Sequence, residues 1–289
     1  TVKTAVEDTK VYHIDSAEEM KDQIDVMVLC GGSASDIPEQ GPYFAGLFNT
    51  VDAYDNHGEI PKYFAEIDQK AKEANTTCVI STGWDPGMFS LNRLLAQSIL
   101  PKGSTYSFWG KGVSQGHSDA VRRVEGVKDG KQYTIPIEKA VEAVRNGENP
   151  EFATREKHKR VCYLVTEEGA DQQKIENDIK TMPGYFADYD TEVHFITKEE
   201  LEKEHSGLPH GGRVIHYGKT GLDGEHGHTI EYKLDLESNP DFTASVMLAY
   251  VRAAYRMNRE GQIGAKTVFD VAPIYLSERT PEELRAAIL

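Results

Sequence analysis

Three short apolar runs, 25–30, 50–54 and 77–80, each end in small or acidic residues and each lead into a helical pattern. That alternation confines the first part of the chain to βαβ units and a parallel sheet. The helical patterns run through 43–48, 60–74 and 88–100, and in the second of them Tyr63, Phe64, Ile67 and Ala71 fall on one stripe. A parallel sheet delivers the carboxyl ends of its strands to one side. Ser33, Asp55 and Asp85, which follow the three runs, therefore face one crevice, the place where such sheets bind ligands. At 81–89 the chain reads as a strand-to-helix corner, with Asp85 as N-cap and Pro86 in the first helical turn. The paired carboxylates suit an ammonium group, although Asp55 in Asp55-Asn56-His57-Gly58 also fits ordinary turn chemistry. Ahead of these elements, 11–14 reads as a short strand and Ser16 as the cap of an acidic helix over 17–23.

After Pro101-Lys102-Gly103 the pattern changes to longer runs rich in aromatic and β-branched residues. Strands are expected over 104–109, 132–136, 158–166, 191–196, 213–217 and 229–236, helices over 172–182 and 198–205, and a long helix over 239–260. An α+β domain over 101–263 follows, with 1–100 as a first domain that 264–289 rejoins.

Lys and Arg number 32 against 47 Asp and Glu, a formal net charge of −15 that repels nucleic acid and anionic membrane. No apolar run reaches the roughly 18 residues of a membrane span or forms a leader, so the expected location is the cytoplasm. The three cysteines, Cys30, Cys78 and Cys162, lie far apart in apolar runs, as buried thiols in a reducing compartment would. His226-Gly227-His228 lacks a third ligand, and no metal is expected.

A second polar cluster spans Ser114 to Asp119, where Ser118 or Asp119 can cap 120–124 and His117 reads either as a capping residue or as a catalytic one. Arg160 can fork onto a carboxylate, yet the basic run Lys157-His158-Lys159-Arg160 also reads as solvated edge-strand surface. Leu208-Pro209-His210-Gly211-Gly212 reads as a turn with a projecting imidazole, and Ser238-Asn239-Pro240 as a turn before the long helix.

Taken together and in order, the motifs Cys30 to Ala34, Val51 to His57, Ser81 to Phe89, Phe108 to Gly110, Ser114 to Asp119, Pro209 to Gly212 and Asn239 to Ser245 resemble the meso-diaminopimelate dehydrogenase family. The resemblance runs through the whole chain. It implies a Rossmann-like dinucleotide domain beside a substrate and dimerisation domain, NADP as cofactor, meso-2,6-diaminopimelate as substrate and a homodimer. The implied reaction is reversible oxidative deamination of the D-centre to L-2-amino-6-oxopimelate, in lysine biosynthesis. In that family's pattern Asp55 and Asp85 hold the reacting ammonium group, with Trp84 and Trp109 shaping its pocket. Thr134, Arg160, His210 and Asn239 match the ligands of the distal L-centre, drawing one substrate cleft from both domains. Gln115, Gly116 and Asp119 lie on a closing loop. Cys30, Gly32, Ser33 and Tyr54 are the implied cofactor contacts, while Gly31 stands where part of the family has Met. The family's opening strand and Gly-rich turn are not in the sequence, which on this reading lacks roughly forty residues. A D-amino acid dehydrogenase of relaxed specificity on the same scaffold is the alternative activity, and a non-catalytic binding protein is a further one.

Overall fold

The structure is a computed structural model and describes residues 1–4 and 6–289. Its contacts divide the chain into two compact units, one of Thr1–Ser90 with Thr243–Leu289 and one of Leu91–Phe242.

The first unit is built on four parallel strands in the spatial order Gly264–Lys266, Thr77–Val79, Asn49–Asp52, Val26–Leu29. This is the parallel sheet of βαβ units that the alternating runs predict, and the helix Ile60–Ala74 has the extent read from its apolar stripe. Tyr63, Ile67 and Ala71 from that stripe pack with Ile37, Tyr54, Cys78, Ile80 and Ala265 into one core. The helix stops at Asn75, which takes a left-handed conformation at φ 58° and donates its N–H back to the last turn.

Near the start of the chain the expectation fails. Residues 11–13 form no strand, and Ile14–Met20 is a 3₁₀ helix whose first turn is capped by the His13 ring, not by Ser16. The run is too short and too exposed to join the sheet, since Val11, Tyr12 and Ile14 are all about half exposed or more. Cys78 and Cys162 are buried, but Cys30 lies one residue beyond Leu29, where the strand has ended, and is exposed.

The second unit holds two sheets. One is antiparallel, in the order His226–Leu236, His210–Thr220, Ser104–Trp109. The other runs Asp190–Phe195, His158–Thr166, Val127–Pro136, Gly112–Val113. His158–Thr166 is thus an inner strand, parallel to one neighbour and antiparallel to the other. Its basic run is consequently not solvated surface: the alternate residues His158 and Arg160 are 4% and 7% exposed. The helices Gln115–Arg122 and Gln172–Lys180 cover this sheet through Val121, Ile175 and Ile179, which meet Cys162, Leu164 and Phe186. No helix among the described residues is long and apolar enough to cross a membrane.

Candidate functional site

The carboxyl ends of the parallel strands carry one polar cluster. Ser33 Oγ accepts the Asp55 backbone N–H at 3.3 Å, so the segments after Val26–Leu29 and Asn49–Asp52 are joined where the Asp55 carboxylate is exposed. Asp85 follows from the next strand. The helix beyond it begins at Met88 and not at Pro86, because Gly87 sits at φ 127°, a backbone no helix contains. Residues 83–89 form a tight turn closed by the Trp84–Gly87 bridge, with Met88 N–H on Gly83 O at 3.1 Å and Phe89 N–H on Trp84 O at 2.8 Å. Trp84 is 8% exposed and meets Phe89 edge-on at 5.3 Å. Asp85 is partly exposed in this turn.

Gly31 and Gly32 leave the ledge beside this cluster without side chains. A Cβ on Gly31 would stand 2.7 Å from Asp36 Cβ, and one on Gly32 would stand 2.7 Å from Ser35 Oγ. The ledge is closed from behind by Asp36, whose Oδ2 accepts the Gly32 N–H at 2.7 Å. An exposed, backbone-lined surface next to Cys30 and Ser33 fits the flat face of a nicotinamide. Tyr54 differs from these neighbours: its ring is 3% exposed and packs on Tyr63 at 4.3 Å.

The other cluster is in the second unit. Arg160 donates from Nη1 to Thr134 Oγ1 across the strand pair, and its guanidinium lies 3.9 Å from the centre of the Tyr189 ring. Burial lowers its pKa, but the group remains a cation. Its Nε is buried with no hydrogen-bond partner, and no carboxylate among the described residues forms an ion pair with it. Gly112, the register partner of Thr134, lies beneath His210, and a Cβ there would come 2.5 Å from His210 Cα. His210 opens the strand His210–Thr220, so it is held in extended backbone and not in the turn expected of 208–212. Asn239 opens the helix Asn239–Arg259 and donates its N–H to Leu208 O at 3.0 Å, which ties it to the segment entering His210.

Gln115, Gly116 and Asp119 belong to the helix Gln115–Arg122 and are exposed. The cap is Ser114, whose Oγ accepts the His117 N–H; neither Ser118 nor Asp119 caps it, because the helix starts a turn earlier than the apolar residues at 120–121 signal. Asp119 pairs with Arg122 on the same helix.

Two residues that sequence reasoning left aside support Trp109 and Arg160. Tyr189 supplies the ring beneath the guanidinium. His158 Nε2 accepts the Trp109 backbone N–H at 2.9 Å, and its ring stacks on the indole at 5.5 Å. Burial lowers the His158 pKa to about 3, helped by Lys157 and Arg160, and burial with Arg160 lowers that of His117 to about 4. Both are neutral in the folded chain near pH 6, while the unfolded chain binds protons there. Stability is therefore lost as pH falls below about 6.5, and His158 alone accounts for about 2 kcal/mol between pH 6.5 and 5. His158→Gln keeps an acceptor for Trp109 but does not titrate, so its Tm is expected to fall less than the parent's between pH 7 and 5. Parallel Tm curves would remove His158 from this account.

A family model described as the diaminopimelic acid dehydrogenase C-terminal domain matches residues 83–238. The meso-diaminopimelate D-dehydrogenase of Acetivibrio thermocellus is 62% identical over 289 residues, 100% of this chain and 86% of that protein. A multiply substituted meso-diaminopimelate dehydrogenase from Clostridium tetani E88, solved with DAP, superposes with a TM-score of 0.92 at 57% identity, over 99% of this chain and 88% of that one. An engineered D-amino acid dehydrogenase bound to NADP+ superposes with a TM-score of 0.85 at 45% identity, over 100% of this chain and 88% of that one. On identity of this level across its whole length, the chain belongs to the meso-diaminopimelate D-dehydrogenase family.

Proposed function

We infer that the chain catalyses the NADP-dependent, reversible oxidative deamination of the D-centre of meso-2,6-diaminopimelate to L-2-amino-6-oxopimelate. The observation that carries the substrate reading is Arg160, a buried guanidinium with Thr134 and Tyr189 as neighbours and with its Nε unpartnered. A buried cation without a counter-ion is costly, and a carboxylate from a ligand removes that cost. Arg160 with Thr134, His210 and Asn239 is assigned to the L-amino acid end, with Gln115, Gly116 and Asp119 closing over the substrate. Asp55 and Asp85 are assigned to the D-ammonium group, with Trp84 and Trp109 against it. The two carboxylates orient the amine by charge and hydrogen bonding and act as neither nucleophile nor metal ligand. Orientation is the protein's main contribution to such a reaction. Cys30, Gly32, Ser33 and Tyr54 would hold the nicotinamide end of the cofactor, which when bound supplies the two-electron acceptor. We further assign the chain to the cytoplasm and to a homodimer, with the strand-rich second domain as the place of contact.

The assay that tests this follows nicotinamide reduction at alkaline pH with meso-, L,L- and D,D-diaminopimelate and D-alanine, each with NAD and NADP. Turnover of the meso isomer with NADP is expected to exceed every other pairing. Equal turnover of D-alanine would favour a relaxed D-amino acid dehydrogenase, the activity for which the engineered relative is named.

A further inference from the structure

Asp52 is a carboxylate that the reaction does not use, yet it stands between the two loops that carry the amine ligands. It ends the strand Asn49–Asp52 and is 1% exposed. Its Oδ1 accepts two backbone N–H groups, from Tyr54 at 3.0 Å and from Ser81 at 2.9 Å, and its Oδ2 accepts the Tyr63 hydroxyl at 2.8 Å. Its carbonyl oxygen accepts both the N–H and the hydroxyl of Thr82, each at 2.9 Å. No cation among the described residues forms an ion pair with it. Tyr54 immediately precedes Asp55, and Ser81 begins the segment that ends at Asp85.

Two details show that this contact is built and not incidental. Ser81 holds φ 57°, a left-handed conformation costing an L-residue roughly 1–2 kcal/mol, and that conformation is the one whose N–H is bonded to Asp52. Tyr63 lies so close over Gly41 that a Cβ there would overlap its hydroxyl, so the helix Ile37–Ala45 is shaped to admit the ring that fixes Oδ2. Burial raises the Asp52 pKa against three hydrogen bonds that lower it, so the site favours an acceptor at Oδ1 more than it favours a charge.

We propose that Asp52 is a positioning residue: its single Oδ1 fixes the backbone of both carboxylate-bearing loops and thereby the placement of Asp55 and Asp85 on the substrate amine. The proposal rests on the assignment of those two aspartates to the D-ammonium group. It is distinct from a general packing role, because the distal clamp should not respond to it.

The test compares Asp52→Ala, Asp52→Asn, Tyr63→Phe and Asp85→Ala by steady-state kinetics, thermal denaturation and inhibition by L-2-aminopimelate, which has the distal amino acid end and lacks the D-amine. Asp52→Ala is expected to lower kcat/KM for the meso substrate by about 10- to 100-fold while the L-2-aminopimelate inhibition constant stays within about 2-fold. Asp52→Asn keeps an oxygen for both N–H groups and should recover most of that loss. Parent-like kcat/KM in a folded Asp52→Ala, an equal rise in the inhibition constant, or an Asn variant as impaired as the Ala variant overturns the proposal. If Asp52→Ala does not fold, Tyr63→Phe carries the comparison at about 3-fold, and no change there overturns it. Asp85→Ala separates the two readings. Normal kinetics in that variant defeat the amine assignment itself, whereas an impaired Asp85→Ala beside an unaffected Asp52→Ala defeats only the role of Asp52.

Discussion

Replacing Asp85 with alanine is expected to lower kcat/KM for meso-2,6-diaminopimelate by about 100-fold or more, because a charge-assisted hydrogen bond to a partly desolvated ammonium is worth several kcal/mol once its partner is left unpaired. Asp85 lies in a turn pinned at both ends by backbone hydrogen bonds, from Met88 to Gly83 and from Phe89 to Trp84, and thermal denaturation of the variant checks that the turn is kept. The loss should fall on KM and kcat together, since the amine is held in the ground state and must stay aligned as the carbon is oxidised. Asp85→Asn keeps an acceptor without the charge and should lie between the two. NADPH affinity, followed by the fluorescence of its reduced nicotinamide, is expected to hold within about 3-fold in both variants. Near-parent kinetics in Asp85→Ala would take this residue out of the site.

The second large effect is on folding. Gly87 holds φ 127°, and a Cβ on it would overlap the Gly83 carbonyl oxygen and lie 2.6 Å from its carbon. Both atoms are backbone within one turn and cannot move aside independently. Gly87→Ala is therefore expected to cost about 3 kcal/mol or more, from an unfavourable backbone conformation together with the overlap. In a protein of this size that corresponds to a fall in Tm of about 6–12 °C, measured by calorimetry or circular dichroism. A Tm within about 1 °C of the parent would show that the turn has another conformation open to it.

This same turn marks the limit of what the sequence discloses. The Asp-Pro pair that favours a helix start is real, but one glycine outweighs it, and nothing local announces that Gly87 adopts a positive φ. Periodicity did better where packing and pattern agree. The stripe over 60–74 and the runs at 104–109 and 158–166 have the same bounds in the structure. It failed at 11–14, where β-propensity met no sheet to join. At 157–160 only the solvated-surface alternative fails, for a related reason: alternation puts every second side chain indoors once the strand has neighbours on both sides, and strand order is not visible in one sequence. Asp52 did leave a signal, a carboxylate within the run Val51-Asp52-Ala53-Tyr54, but a lone acid in a strand pattern does not name the N–H groups it will serve. The family motifs named candidate residues that composition and spacing left open between site and surface.

The discontinuous make-up of the first unit bears on how the chain acquires its structure during synthesis. Gly264–Lys266 completes the parallel sheet beside Thr77–Val79, and Asp68 takes the Ala265 N–H at 3.1 Å. These pairings span most of the chain, so the entropic cost of closing them is met late. Leu91–Phe242 is contiguous and can consolidate as it leaves the ribosome. The edge of Thr77–Val79 must meanwhile wait for its last neighbour, an interval in which an unpaired, fully buried-type strand is open to chaperones and to mispairing with other nascent chains.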